Sequence, residues 1–190
     1  LTIPTGYGEA LWRVNIRRPV GEPKYQAVTG SRFQLFNGDA LADASVHAVI
    51  CAGEFDAMLA QQSAPAGMAA VTFGSESKTP TWEARYLLRR RRVLIVFDAD
   101  ATGEAGALRW REYVPWAEIV KPTAHDLTDM ARKGVHVGAW LAIQLAGDDE
   151  SRNLTRLGDA LGYTVTISDD GGRVTMRRAS MPIPASEAMP

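Results

Sequence analysis

The chain has 190 residues, of which 46% are hydrophobic and 23% are charged, and its formal net charge is −1. These values are typical of one globular α/β domain with a small appendage, and they exclude a protein that is basic throughout. Cys51 is the only cysteine, which excludes an internal disulfide or a cysteine-rich zinc site in this sequence and fits a reducing cytoplasm. Because no apolar run reaches about 18 residues, no membrane partner is expected.

Residues 1–45 predict a basic, β-rich N-terminal segment. Residues 13–18 alternate as a strand does, a Pro- and Gly-containing turn follows at 19–23, and 25–28 fit a returning strand. The candidates for contact with nucleic acid or nucleotide are Arg13, Arg17, Arg18, Lys24, Tyr25 and Arg32. A cationic strip of this kind can follow a phosphate backbone, and the alternative is a solvated strand face.

Residues 46–145 alternate between strand and helix patterns. The predicted strands are 46–51, 69–73, 93–97 and 117–120, and the predicted helices are 55–62, 81–91, 103–113 and 127–145. This alternation predicts the α/β class, with a parallel sheet that is flanked by helices on both faces. The carboxyl ends of the strands then meet at one edge of the sheet.

Residues 146–178 predict a small C-terminal unit, with a helix at 151–161 and a hairpin whose strands are 163–168 and 173–178. The turn between them is the sequence DDGG. Residues 179–190 contain three prolines and are expected to be disordered. The chain begins at Leu1 rather than at Met, so we expect a fragment of a longer protein, or a minimal form from a phage or mobile element.

The sequence VLIVFDADATG at 93–103 is the most informative stretch. An apolar run that fits a buried strand ends in Asp98 and Asp100, whose side chains lie on the same side of an extended chain. Ligands of open α/β sheets bind at this end of the strands, and paired carboxylates there suit Mg²⁺. Helix capping by aspartate is the alternative interpretation.

Acidic side chains also follow other predicted strands. Short polar segments follow the four strands, at 52–56 (AGEFD), 74–77 (GSES), 98–100 (DAD) and 125–129 (HDLTD). Acidic side chains that converge on one edge of the predicted sheet suit phosphoryl transfer, in which metal ions bind phosphate oxygens. The sequence has no GxxxxGK[ST], GxSxG or HExxH motif, which argues against a P-loop hydrolase, a serine hydrolase of the α/β type and a zinc protease.

The chain contains, in order, GEFDA, a glycine turn, FDADATG and an acidic start to a helix. This order of motifs resembles the Toprim domain. Toprim domains occur in DnaG-type primases, phage primase–helicases, topoisomerases, OLD-type nucleases and RecR-type repair proteins. The upstream sequence PKYQAVTGSRFQLFN resembles the segment that precedes Toprim in DnaG-like primases. The resemblance covers residues 11–145 and implies the core of a DnaG-like DNA primase.

The resemblance implies roles for the acidic residues of this chain. Asp98, Asp100, Asp126 and Asp129 would hold Mg²⁺ or Mn²⁺. In the family a glutamate precedes the glycine of the first motif and acts in catalysis, but this chain has Ala52 there. Glu54 and Asp56 complete the candidate catalytic set.

Three explanations fit Ala52: an engineered inactivation, natural decay to a binding-only protein, or transfer of the role to Glu54. The first is favoured, because every other acid of the site is present.

The expected function is therefore metal-dependent synthesis of RNA primers, a nucleotidyl transfer that the alanine at position 52 would impair. The expected partners are a single-stranded DNA template, ribonucleoside triphosphates and a replicative helicase. A Toprim nuclease and a catalytically silent module that binds single-stranded nucleic acid are the alternatives.

Overall fold

The computed structural model describes residues 1–32, 34–146, 163–167 and 174–178. The chain divides into two compact units, Leu1–Leu145 and Ala146–Pro190. Of the helices in the described ranges, none is both long and apolar enough for a membrane crossing.

A four-stranded parallel sheet forms the centre of the first unit. Its strands are β4 (His47–Cys51), β5 (Met68–Val71), β6 (Val93–Val96) and β7 (Glu118–Ile119), in the spatial order β5-β4-β6-β7. Every residue of β5 and β6 is buried, as expected of strands covered on both faces. The predicted parallel sheet is thus confirmed, with shorter strands than the sequence indicated.

Helices cover both faces of this sheet. They are α1 (Glu54–Gln62), α2 (Trp82–Leu88), α3 (Ala101–Tyr113), α4 (Leu127–Arg132) and α5 (Val137–Ala146). Ile50 and Ile95 face the core shared with α2 and α3, whereas Val49 and Leu94 face the core shared with α1, α4 and α5. The alternation of side chains along each strand therefore produces two apolar layers.

The predicted helix at 127–145 is wrong, because the structure has two helices there. Gly134 adopts φ +84° in the left-handed region, where a residue with a side chain is strained. The amide of Gly134 donates to the carbonyl of Ala131, and the amide of Val135 donates to that of Met130. This pair of bonds is the Schellman arrangement that ends a helix.

The N-terminal residues form an antiparallel sheet of β1 (Thr2–Tyr7), β2 (Ala10–Arg17) and β3 (Tyr25–Ala27). The segments predicted at 13–18 and 25–28 correspond to β2 and β3. Strand β1 was not predicted, since its sequence, TIPTGY, contains a proline and a glycine, which weaken a strand signal. Further along the chain, a backbone bridge joins Phe36 to Thr72, the residue that directly follows β5.

In the second unit, β8 (Tyr163–Ile167) and β9 (Val174–Arg178) pair antiparallel. The predicted helix at 151–161, the turn at 169–172 and the tail at 179–190 lie outside the described residues. The predicted domain boundaries stay predictions.

Candidate metal centre and its basic face

Three aspartates from separate elements meet at the carboxyl edge of the parallel sheet. Asp98 follows β6, Asp56 lies in the first turn of α1, and Asp126 is the N-cap of α4. One carboxylate oxygen of each lies within 4.8 Å of the others. Parallel strands bring their carboxyl ends to one edge, so residues that are 70 positions apart converge as predicted.

Two of these carboxylates are held by neighbouring polar groups. Asp56 Oδ1 accepts hydrogen bonds from the Thr128 amide at 3.0 Å and from its hydroxyl at 2.7 Å. Asp126 Oδ1 accepts one from the Asp129 amide at 2.5 Å. Burial raises the pKa of Asp56 above its ordinary value.

Asp98 is the most perturbed of the three. Burial first, and then the charges of Glu76 and Asp56, raise the pKa of Asp98 to about 6. Carboxylates this close repel one another, and a cation between them removes the repulsion. An all-oxygen set of this kind fits Mg²⁺ or Mn²⁺.

Asp100 serves as a helix cap and also lies in a second possible ligand group. Its Oδ1 accepts a hydrogen bond from the Gly103 amide at 2.8 Å, which caps α3. Its Oδ2 lies 3.6 Å from His125 Nε2, and Asp98, Asp100 and His125 form a group within 4.8 Å. Capping and ligation are compatible, because the cap uses Oδ1 and leaves Oδ2 available.

Asp129 lies outside both of these groups among the described residues. Its carboxylate is 2.8 Å from Lys133 Nζ, one turn further along α4. Its predicted role as a metal ligand therefore has no geometric support here.

Ala52 lies at the acidic edge, where the glutamate implied by the resemblance would have stood. It is 5% exposed and lines a pocket of ≈ 730 Å³ together with Asp56, Asp98 and Asp126. The methyl group of alanine can neither bind a cation nor accept a proton.

Glu54 is held away from the acidic pocket, so its takeover of this role, one of the three explanations for Ala52, has no geometric support. It is 3% exposed, is not among the residues that line the acidic pocket, and points toward the N-terminal sheet. Its Oε1 accepts a hydrogen bond from Asn15 Nδ2 at 2.7 Å. A Cβ on Gly74 would come within 2.5 Å of that oxygen, so the carboxylate fills the space that the glycine leaves.

One face of β2 attaches the N-terminal sheet to this edge. Arg13 Nη1 donates to the carbonyl of Phe73 at 3.2 Å, Asn15 donates to Glu54, and the Arg17 guanidinium lies 4.7 Å from the centre of the Phe55 ring. These three side chains are two residues apart, so a strand presents them on the same face.

Arg17, Lys24 and Tyr25 line the same pocket as the acids. The other predicted cationic contacts lie elsewhere: Arg13 reaches Phe73, Arg18 bonds to Gln26, and the Arg32 guanidinium is 6.0 Å from the centre of the Trp12 ring.

Glu76 is a pocket residue that the sequence analysis did not select. It lies in the loop that follows β5, and its charge contributes to the raised pKa of Asp98. Its place after a parallel strand was the available signal, because such loops surround ligand sites.

No family-level sequence model and no curated protein matches the chain. Among solved structures, the DnaG catalytic core superposes with a TM-score of 0.55 at 18% identity, over 84% of this chain and 63% of that one. The primase fragment of the bacteriophage T7 primase-helicase gives a TM-score of 0.52 at 11% identity, over 69% of this chain and 58% of that one.

The chain has the fold of a DnaG-type primase core. A third similar chain, from a T7 complex of lagging-strand DNA polymerase with primase domains, gives a TM-score of 0.53 at 16% identity, over 69% of each chain. The chain thus spans about three fifths of the DnaG core and of the T7 fragment.

Proposed function

We propose that this chain is the nucleotidyl-transfer core of a DnaG-like primase, which joins ribonucleotides on a single-stranded DNA template. The observation that carries the proposal is the pocket itself. Three carboxylates from separate elements lie close together in its lining, and Arg17 and Lys24 line the same pocket. A phosphate chain with bound cations has the charge pattern that fits between them.

The chain's own residues would divide the work between two faces. Asp56, Asp98 and Asp126 would hold Mg²⁺ or Mn²⁺, with Asp100 next to them. The ion would neutralise charge on the phosphate oxygens. Arg17 and Lys24 would bind the phosphates of the template or of the incoming triphosphate, and Tyr25 would stack on a base.

Because position 52 is an alanine, the expected activity is lower than that of a site with a complete set of carboxylates. A missing group that moves a proton costs about 100-fold or more in rate. We therefore expect slow synthesis by the chain with Ala52 and faster synthesis by Ala52→Glu.

The test is extension of a short RNA annealed to a DNA template, with labelled ribonucleotides and either Mg²⁺ or Mn²⁺. An annealed RNA removes the need for start-site selection. We expect Asp98→Asn to abolish extension, whereas Glu83→Gln, an exposed change on α2, keeps it. Equal extension by Asp98→Asn and by the otherwise identical chain with Asp98 would contradict the proposal.

Two other functions remain as outcomes of the same experiment. Metal-dependent nicking of the template without extension would indicate a Toprim nuclease, which would use the same acids for hydrolysis. Template binding without either product, even in Ala52→Glu, would indicate a silent binding module. A replicative helicase is a proposed partner, because the T7 chain with this fold belongs to a primase-helicase.

A further inference from the structure

The loop that carries Glu76 is fixed at both ends. At its start, the Thr72 hydroxyl accepts a hydrogen bond from the Gly74 amide at 2.8 Å and donates to the carbonyl of Ala52 at 3.2 Å. At its far end, Trp110 Nε1 donates to the carbonyl of Lys78 at 2.7 Å. The same threonine therefore connects the loop to the position where the glutamate is missing.

The loop also packs closely against α3. A Cβ on Gly106 would lie 2.6 Å from the Glu76 carbonyl oxygen and 2.9 Å from the Glu76 Cβ. Only a residue without a side chain allows this approach, so the backbone of Glu76 has a defined place beside the acidic pocket.

The side chain of Glu76 is half-buried and lines the pocket with Ala52, Asp98 and Asp126. Among the described residues its carboxylate has neither a hydrogen bond nor an ion pair. Asp126 and Asp100, by contrast, each use one oxygen as a helix cap. A half-buried carboxylate without a partner faces a group of like charges, which is unfavourable unless a cation is present.

We propose that Glu76 gives the divalent-ion site the carboxylate that position 52 lacks. This inference rests on the proposed function, which places the ion at Asp98. Glu76 belongs to neither compact ligand group. A divalent ion such as Mg²⁺ keeps several bound waters, so Glu76 acts on the ion through one of them. The ion site then keeps its number of carboxylates despite Ala52, whereas position 52 still lacks a group that could move a proton.

The test is Mn²⁺ binding, measured by calorimetry and by the electron paramagnetic resonance of free Mn²⁺, without nucleotide or nucleic acid. Loss of a carboxylate that contacts a metal's bound water costs about 10-fold in affinity. We expect Glu76→Gln to bind Mn²⁺ about 10-fold more weakly than the unsubstituted chain. Glu83→Gln removes the same charge at an exposed place on α2 and should bind Mn²⁺ as tightly as the unsubstituted chain does.

A rescue variant separates a role at the ion from damage to the loop. Ala52→Glu added to Glu76→Gln should restore Mn²⁺ affinity, because the second carboxylate enters the same pocket. Equal affinity in Glu76→Gln and Glu83→Gln, with weaker binding in Asp98→Asn, would overturn the role of Glu76 and leave the proposed ion site standing. Unchanged binding in Asp98→Asn as well would overturn both.

Discussion

Asn15 and Glu54 form a buried polar pair between the N-terminal sheet and α1. They are 2% and 3% exposed, and their hydrogen bond is 2.7 Å long. A buried carboxylate that loses its donor pays for its desolvation without compensation. This pair therefore favours the docking that brings Arg17 next to the acids.

We expect Asn15→Ala to lower the free energy of unfolding by about 1–3 kcal/mol, because it leaves Glu54 buried without that donor. Urea denaturation of Asn15→Ala, Glu54→Gln and the double variant measures the coupling between them. Gln26→Ala, an exposed change in β3, is the control. Strictly additive losses would show that the two side chains do not stabilise the chain as a pair.

The raised pKa of Asp98 predicts that the stability of the metal-free chain depends on pH. Burial and then the charge of Glu76 raise its pKa from 3.8 to about 6, so the folded chain binds this proton more tightly than the unfolded chain does. The resulting stabilisation is complete below the unfolded pKa and is lost as the pH rises through about 6.

We therefore expect the free energy of unfolding of the unsubstituted chain to fall relative to that of Asp98→Asn as the pH rises through about 6. Denaturant unfolding with a metal chelator, at a series of pH values, measures the difference between the two proteins. A difference that does not vary with pH would contradict the raised pKa of Asp98.

At the scale of elements, Gly134 decides that α4 and α5 are two helices. A side chain at φ +84° is strained by about 1–2 kcal/mol, although no other atom lies within 4 Å of a Cβ placed there. Gly134→Ala should therefore lower the melting temperature. Gly134→Asn should lower it less, because asparagine tolerates this backbone conformation. Equal melting temperatures for the glycine and alanine proteins would indicate that the break between the helices does not depend on this residue.

At the scale of the whole molecule, cationic and acidic side chains meet at one pocket although the net charge is only −1. Arg17 and Lys24 line this pocket together with Asp98 and Asp126. Nucleic-acid binding should therefore depend on a few cations, with a moderate dependence on salt.

We expect Arg17→Gln to weaken binding of single-stranded DNA and to reduce the slope of log K against log salt by about 0.7, the value for one phosphate contact. Fluorescence anisotropy over a salt series measures both. Arg111→Gln changes an exposed arginine at the far end of α3, roughly 15 Å or more from the acidic edge, and should leave the slope unchanged. An equal effect of the two changes would indicate diffuse binding.

The sequence alone determined the parallel sheet and the position of Asp98 and Asp100, because strand and helix periodicity and the residues that end a strand are local properties. It also marked Asp56 and Asp126, since each follows the carboxyl end of a predicted strand or begins a predicted helix. The order of these motifs was sufficient to indicate the primase-type fold.

Only the tertiary structure decided which neighbours of these residues face the site. Glu54, next to the motif glycine, turns away because Asn15 binds it, whereas Glu76 faces the pocket because Thr72 and Gly106 fix its loop. Arg17 reaches the pocket and Arg13 does not, because Arg13 donates to the carbonyl of Phe73 instead. Three of these contacts join residues that are 30 or more positions apart: Asn15 with Glu54, Glu76 with Gly106, and Arg13 with Phe73. Periodicity within one segment carries no information about them.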